Sequence, residues 1–200
     1  MKIEKVICSK GRTGFFFDDQ KAIKAGAKND GAAYIGQPVT PGFTSIRMAG
    51  ESISVQLVLS DGQIAWGDCA AVQYSGAGGR DPLFLAEDFI PYIQEVVAPH
   101  LIGRELTSFK ELAGEINDMK DPKTGKRIHT AIRYGVTQAI LDAVAKSKHT
   151  IMAEVIAEEY NCTVSDKELP IFTQSGDNRY ENADKMILKG AQVLPHALIN

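Results

Sequence analysis

The stretch from Glu168 to Asn200 constrains the fold most. Glu168-Leu-Pro-Ile-Phe-Thr-Gln-Ser-Gly176 reads as one short buried strand, a helical stretch follows, and Val193-Leu-Pro-His-Ala-Leu-Ile-Asn200 reads as a second strand. A β-α-β unit of this kind needs a parallel partner strand and a covering helix, and the 200 residues hold neither after it. From about Leu169 the chain therefore reads as the opening of a parallel β/α barrel, preceded by a complete domain. The expected boundaries are 1–160 for that domain and 161–200 for the start of the barrel.

What precedes the barrel has the order of an α+β domain: strands first, then helices. Residues 2–8 alternate apolar and polar, as a strand with one buried face does. Residues 10–45 hold six glycines, Pro38, Pro41 and the run Phe15-Phe-Phe-Asp-Asp19, which predicts an irregular, folded-over loop. Ser52–Leu59 places Ile53, Val55, Leu57 and Leu59 on one face. Asp61-Gly62 supplies a tight turn, and Gln63–Asp68 returns with Ile64 and Trp66 on one face. Together with the first strand this predicts a three-stranded antiparallel meander.

Helices follow. Asp81 is the expected cap of the first, with Pro82 at its opening position and Pro91 at a bend. Thr107 or Ser108 caps the second, Asp121-Pro-Lys-Thr-Gly125 breaks it, a third runs from about His129 to Ala145, and Ala153–Tyr160 suggests one more.

Composition narrows the function. A net charge of −3 argues against a nucleic-acid partner. No apolar run is long enough for a membrane span. The Met-Lys-Ile-Glu start is no secretory leader, and Cys8, Cys69 and Cys162 fit neither a disulfide framework nor a zinc site. A cytoplasmic protein is expected.

Candidate chemistry is sparse. His100, His129 and His149 sit where structural or solvated roles suffice. His196 shares a strand face with Leu194 and Leu198; that face is either packed core or the hollow of a barrel, where an imidazole moves protons near neutral pH. Gln174 ends the preceding strand, the position that carries active sites in β/α barrels, and its amide either contacts substrate or caps the strand. The second glycine-rich stretch, residues 73–82, lacks the Gly-Lys-Ser/Thr ending of a phosphate loop and reads as a mobile loop beside a pocket. Asp18-Asp19 and Glu158-Glu159 read as solvated faces.

Three stretches in order resemble the methylaspartate ammonia-lyase family of the enolase superfamily. They are Ser9-Lys-Gly-Arg-Thr-Gly-Phe-Phe-Phe-Asp-Asp19, Trp66-Gly-Asp-Cys-Ala-Ala-Val-Gln-Tyr-Ser-Gly-Ala-Gly-Gly-Arg-Asp-Pro82, and Ile171–Tyr180 with Leu194–Asn200. The resemblance implies an N-terminal α+β capping domain followed by the first strands of a (β/α)8 TIM-type barrel. It implies a carbon–nitrogen lyase that reversibly removes ammonia from L-threo-3-methylaspartate to give mesaconate, in glutamate fermentation, through proton abstraction at C3 and a Mg2+-stabilised enediolate. By motif match His196 is the catalytic acid/base for one diastereomer, Gln174 contacts a substrate carboxylate, and Gln73 lies near the amine. The loops Phe15–Asp19 and Gln73–Arg80 help close the site. The resemblance further implies Mg2+, with potassium as a second ion, a small amino-acid substrate and a homodimer. The family's metal-binding carboxylates and its lysine base fall beyond residue 200, so no metal ligand is expected in this chain, which reads as an N-terminal portion inactive alone. The competing readings are another enolase-superfamily enzyme, such as a cycloisomerase or dehydratase, and a non-catalytic capping or dimerisation module or one subunit of a split enzyme.

Overall fold

The chain opens on a long strand, β1 (Ile3–Asp18), which extends well past the expected residues 2–8. A short helix, α1 (Gln20–Lys24), and a small hairpin of β2 (Lys28–Asp30) and β3 (Ala33–Ile35) follow. Then come β4 (Arg47–Leu59) and β5 (Ile64–Ala70). The computed structural model describes residues 1–174 and 179–193, in two compact units that divide after Thr163.

In the first unit β1, β4 and β5 form an antiparallel sheet in that order, the expected meander. Ile53, Val55, Leu57 and Leu59 are fully buried, and Gly62 makes the turn at φ 86°. The glycine-rich stretch at 10–18 is strand rather than loop because β4 supplies its partner: Arg12 pairs with Glu51 and Asp18 with Arg47, across an irregularity between Arg12 and Phe16. Gly50 lies opposite that irregularity, where a side chain would collide with Thr13 and the Phe15 carbonyl. Of the three phenylalanines, Phe17 enters the core while Phe15 and Phe16 remain exposed. The face of β5 that carries Ile64 and Trp66 looks outward; Ala65, Gly67 and Cys69 form its buried face.

Five helical stretches follow the sheet: α2 (Ala86–Tyr92), α3 (Ala98–Leu101), α4 (Phe109–Asp118), α5 (Thr130–Ser147) and α6 (Met152–Glu159). Pro91 lies in α2, and Ile93–Val97 continues as a π-helical turn, the local widening that absorbs a helix interruption. Asp81 does not cap α2. Leu85 occupies that position without a side-chain bond, and Glu51 Oε2 accepts from Ala86 N at 2.8 Å. Ser108 caps α4 as expected, accepting from Glu111 N, and Asp121 accepts from Lys123 N and Thr124 N at the break. Glu159 is no solvated residue. It accepts from Phe109 N, Lys110 N and Ser108 Oγ, and so joins α6 to the start of α4.

Helix α5 packs closely against β5 at Gly67 and Gly135. A methyl on Gly67 would overlap the Gly135 carbonyl oxygen, and one on Gly135 would fall 2.5 Å from Cys69 N. The helix also closes the outer edge of the sheet. Asp142 Oδ2 accepts from Trp66 N at 2.9 Å, and Lys146 Nζ donates to Ile64 O and to Asp142. An ion pair one helical turn apart thus takes the hydrogen bonds that a neighbouring strand would make.

The second unit carries α7 (Arg179–Leu188). Phe172 and Val193 form a single parallel bridge flanking it, the geometry of a β-α-β start. Within the described part of the expected strand, residues 168–174, Leu169, Ile171 and Phe172 are exposed rather than buried.

Candidate functional site

The site is built where β1 ends and the loop after β5 begins. Asp18 N donates to Gln73 O at 2.8 Å, and Gln73 Nε2 donates to Asp18 Oδ2 at 2.6 Å. The same carboxylate receives a two-pronged guanidinium: Arg47 Nε reaches Oδ1 at 2.7 Å and Nη2 reaches Oδ2 at 2.8 Å. Arg47 also meets the rings of Phe16 and Tyr34, each centroid 4.9 Å from the guanidinium carbon, and donates to the Ala32 carbonyl. Asp18 is fully buried, so the expectation of a solvated Asp18-Asp19 face is wrong. A pair of adjacent acids is solvated unless distant donors reach it, and here they do.

Asp19, also fully buried, binds the next layer. Its Oδ1 accepts from Lys21 N and Ala22 N, capping α1, and from Thr40 Oγ1; its Oδ2 accepts from Val39 N at 2.6 Å and Thr40 N at 2.8 Å. Burial alone would push this carboxyl up, but the hydrogen bonds from Thr40, Val39 and Ala22 outweigh it and hold the group below the usual carboxylate range.

The loop that leaves Gln73 turns through Gly76, Gly78 and Gly79, all at positive φ. Beside it lies a cavity of ≈ 400 Å³ whose lining includes Val72, Ser75, Arg80, Asp81, His129 and Arg133. This is the pocket expected next to residues 73–82, although Gln73 does not line it. Asp81 Oδ2 accepts from Thr130 N at 2.7 Å and so serves the start of α5 rather than α2. His129 caps the same helix: Nδ1 accepts from Ala131 N at 3.0 Å, which leaves the proton on Nε2 to bond the Pro82 carbonyl at 3.0 Å. Its ring packs against Phe84 and Phe89.

Burial pushes the His129 pKa down, against the smaller upward pull of the Pro82 carbonyl and of Asp81. A buried neutral ring makes folding pH-dependent. The unfolded chain takes up the proton first, so this residue's contribution is full above about pH 6.5 and is lost as the pH falls below that value. The melting temperature is expected to fall between about pH 7 and pH 5, and His129→Asn, which retains a capping oxygen, to show a shallower fall. Equal slopes in the two proteins would contradict this.

The other expected site residues are placed less fully. Gln174 belongs to the second unit, exposed just past the Phe172 bridge. His196 lies outside the described residues. Arg47, Asp18 and Asp19 had no local signal as site residues; a pairing of Asp18 with Arg47 in the β1–β4 register would have brought them forward. Among the described residues no group of three or more His, Cys, Asp and Glu side chains is arranged to hold a metal ion. No described helix is long and apolar enough to cross a membrane.

The family model for the methylaspartate ammonia-lyase N-terminus matches residues 1–161, and that for the methylaspartate ammonia-lyase C-terminus matches residues 163–200. The methylaspartate ammonia-lyase of Clostridium tetanomorphum is 64% identical over 200 residues, which are 100% of this chain and 48% of that protein. Its crystal structure as a magnesium complex superposes with a TM-score of 0.93 over 100% of this chain and 48% of the other. The Citrobacter amalonaticus enzyme containing (2S,3S)-3-methylaspartic acid superposes with a TM-score of 0.92 at 53% identity and the same coverage. A muconate cycloisomerase variant shares the fold alone, with 14% identity and a TM-score of 0.57 over 94% of this chain and 41% of its own. The chain thus spans about half the length of the curated relatives it matches. With both family models matched along it, the chain belongs to the methylaspartate ammonia-lyase family.

Proposed function

We propose that this chain supplies the capping domain (residues 1–160) and the start of the barrel (residues 161–200) of an ammonia-lyase acting on L-threo-3-methylaspartate. The product is mesaconate, with ammonia as the leaving group, and the reaction runs in both directions. The observation that carries this reading is the 64% identity to the Clostridium tetanomorphum enzyme along the whole chain.

The roles follow from what each group can do. Elimination needs the C3 proton removed and the C2 ammonium held until it leaves. Gln73, on the capping-domain loop, offers a carbonyl oxygen to that ammonium, and an amide can accept from it without competing for its protons as a base would. Gln174 offers its amide N–H to a substrate carboxylate. His196 is the acid/base for the diastereomer that turns its C3 proton toward the imidazole. Magnesium on the carboxylate would stabilise the charge that develops when C3 is deprotonated. The described residues do not fit a magnesium site, so this ion, and potassium with it, would be held by groups outside them. The same reading makes the protein a cytoplasmic homodimer.

The test is turnover of the natural protein that carries this chain. With magnesium, L-threo-3-methylaspartate is expected to yield mesaconate and ammonia in equal amounts, read by the ultraviolet absorbance of the conjugated acid. No product from this substrate at any magnesium concentration would refute the reading.

A further inference from the structure

We propose that Asp18 and Arg47 are positioning residues that lock the Gln73 amide with its carbonyl oxygen facing the substrate's amine. The inference rests on the reading of Gln73 given above and goes one layer deeper. An amide has a donor end and an acceptor end of nearly equal shape, and only its partners decide which end faces the site. Here the decision is chemical. A carboxylate with no proton only accepts, so the Gln73 group 2.6 Å from Asp18 Oδ2 is the NH2. The carbonyl Oε1 therefore points away from Asp18, and among the described residues no protein donor contacts it.

Asp18 is itself held. It takes the Arg47 fork on both oxygens and fixes the Gln73 backbone through Asp18 N and Gln73 O, so the residue is gripped at both main chain and side chain. The guanidinium of Arg47 in turn lies over the rings of Phe16 and Tyr34. The order thus runs from the β2–β3 hairpin through Arg47 and Asp18 to one amide. Without the pin, Gln73 is free to turn its N–H groups toward the ammonium, the orientation that repels it.

The reverse reaction separates this from a merely structural role, because ammonia and mesaconate enter as distinct substrates. In the natural protein, Asp18→Asn is expected to raise the KM for ammonia about tenfold, the size of one charge-assisted hydrogen bond. The KM for mesaconate should stay within about twofold. Arg47→Lys, which keeps the charge and loses the fork, should shift the ammonia KM the same way by less. Gln73→Ala should match Asp18→Asn, and the double variant should be no worse than Gln73→Ala alone, since the two act as one unit. If Asp18→Asn does not melt cooperatively, the charge-balanced Asp18→Asn/Arg47→Gln replaces it in the same measurement.

A tenfold ammonia effect in Gln73→Ala with none in the Asp18 variant would overturn the orienting role and leave the Gln73 reading standing. An equal rise of both KM values in the Asp18 variant would also overturn it. An unchanged ammonia KM in Gln73→Ala would overturn both.

Discussion

Gly67→Ala is expected to destabilise the protein by about 3 kcal/mol or more, the upper end of overpacking costs, because the new methyl meets backbone rather than a yielding side chain. It would sit on the Gly135 carbonyl oxygen and 2.6 Å from Ala139 N. Gly135→Ala should do the same from the other side, with its methyl 2.5 Å from Cys69 N and Sγ and 2.7 Å from the Asp68 carbonyl carbon. Neither residue has a positive φ, so the cost is one of space alone. The α5–β5 seam carries that space, and separating the two elements would also pull Asp142 and Lys146 from the edge of β5. Gly114 is the control. It lies inside α4, where an added methyl would meet nothing within 4 Å, and Gly114→Ala should stabilise by about 0.5–1 kcal/mol by restricting the unfolded chain. Chemical denaturation of the three variants gives opposite signs if the close approach is real. Gly67→Ala within about 1 kcal/mol of the parent would contradict it.

Asp19→Ala is expected to cost about 3–5 kcal/mol, since buried donors left unpaired cost about 1–3 kcal/mol each. Five donors converge on this carboxylate, and three of them, the amides of Val39 and Thr40 and the Thr40 hydroxyl, come from the far end of the excursion between β1 and β4. Losing the anchor should therefore release residues 20–46 before it unfolds the sheet. Limited proteolysis should cut first within that span, near the exposed tip of the β2–β3 hairpin. Asp19→Asn keeps an acceptor oxygen and should fall between. Because the folded carboxyl titrates below its usual range, the anchor's contribution is present at neutral pH and is lost as the pH falls through that lowered value. Equal cutting patterns in Asp19→Ala and the parent would contradict this role.

What was legible in the sequence was what local chemistry decides. The Asp61-Gly62 turn, the Ile53–Leu59 alternation, the Ser108 cap and the Asp121–Gly125 break all stand where spacing put them. What was not legible depends on partners far along the chain. Residues 10–18 look like loop by composition and are strand because β4 pairs with them. Asp81 has the neighbours of a cap for α2, yet its oxygen finds Thr130 N, 49 residues on. Asp18 and Asp19 look solvated as a pair, but Arg47, Gln73, Val39 and Thr40 reach them from 20 to 55 residues away. The candidate site is made of such distant bonds. Its one residue expected beforehand whose partners are described, Gln73, came from resemblance rather than from spacing.

The most direct measurement is a crystal structure of the natural protein with L-threo-3-methylaspartate bound. Gln73 Oε1 is expected within about 3 Å of the ligand's nitrogen, with Nε2 still on Asp18 and the guanidinium of Arg47 behind it. A ligand amine held elsewhere, with Gln73 turned to another partner, would contradict the account.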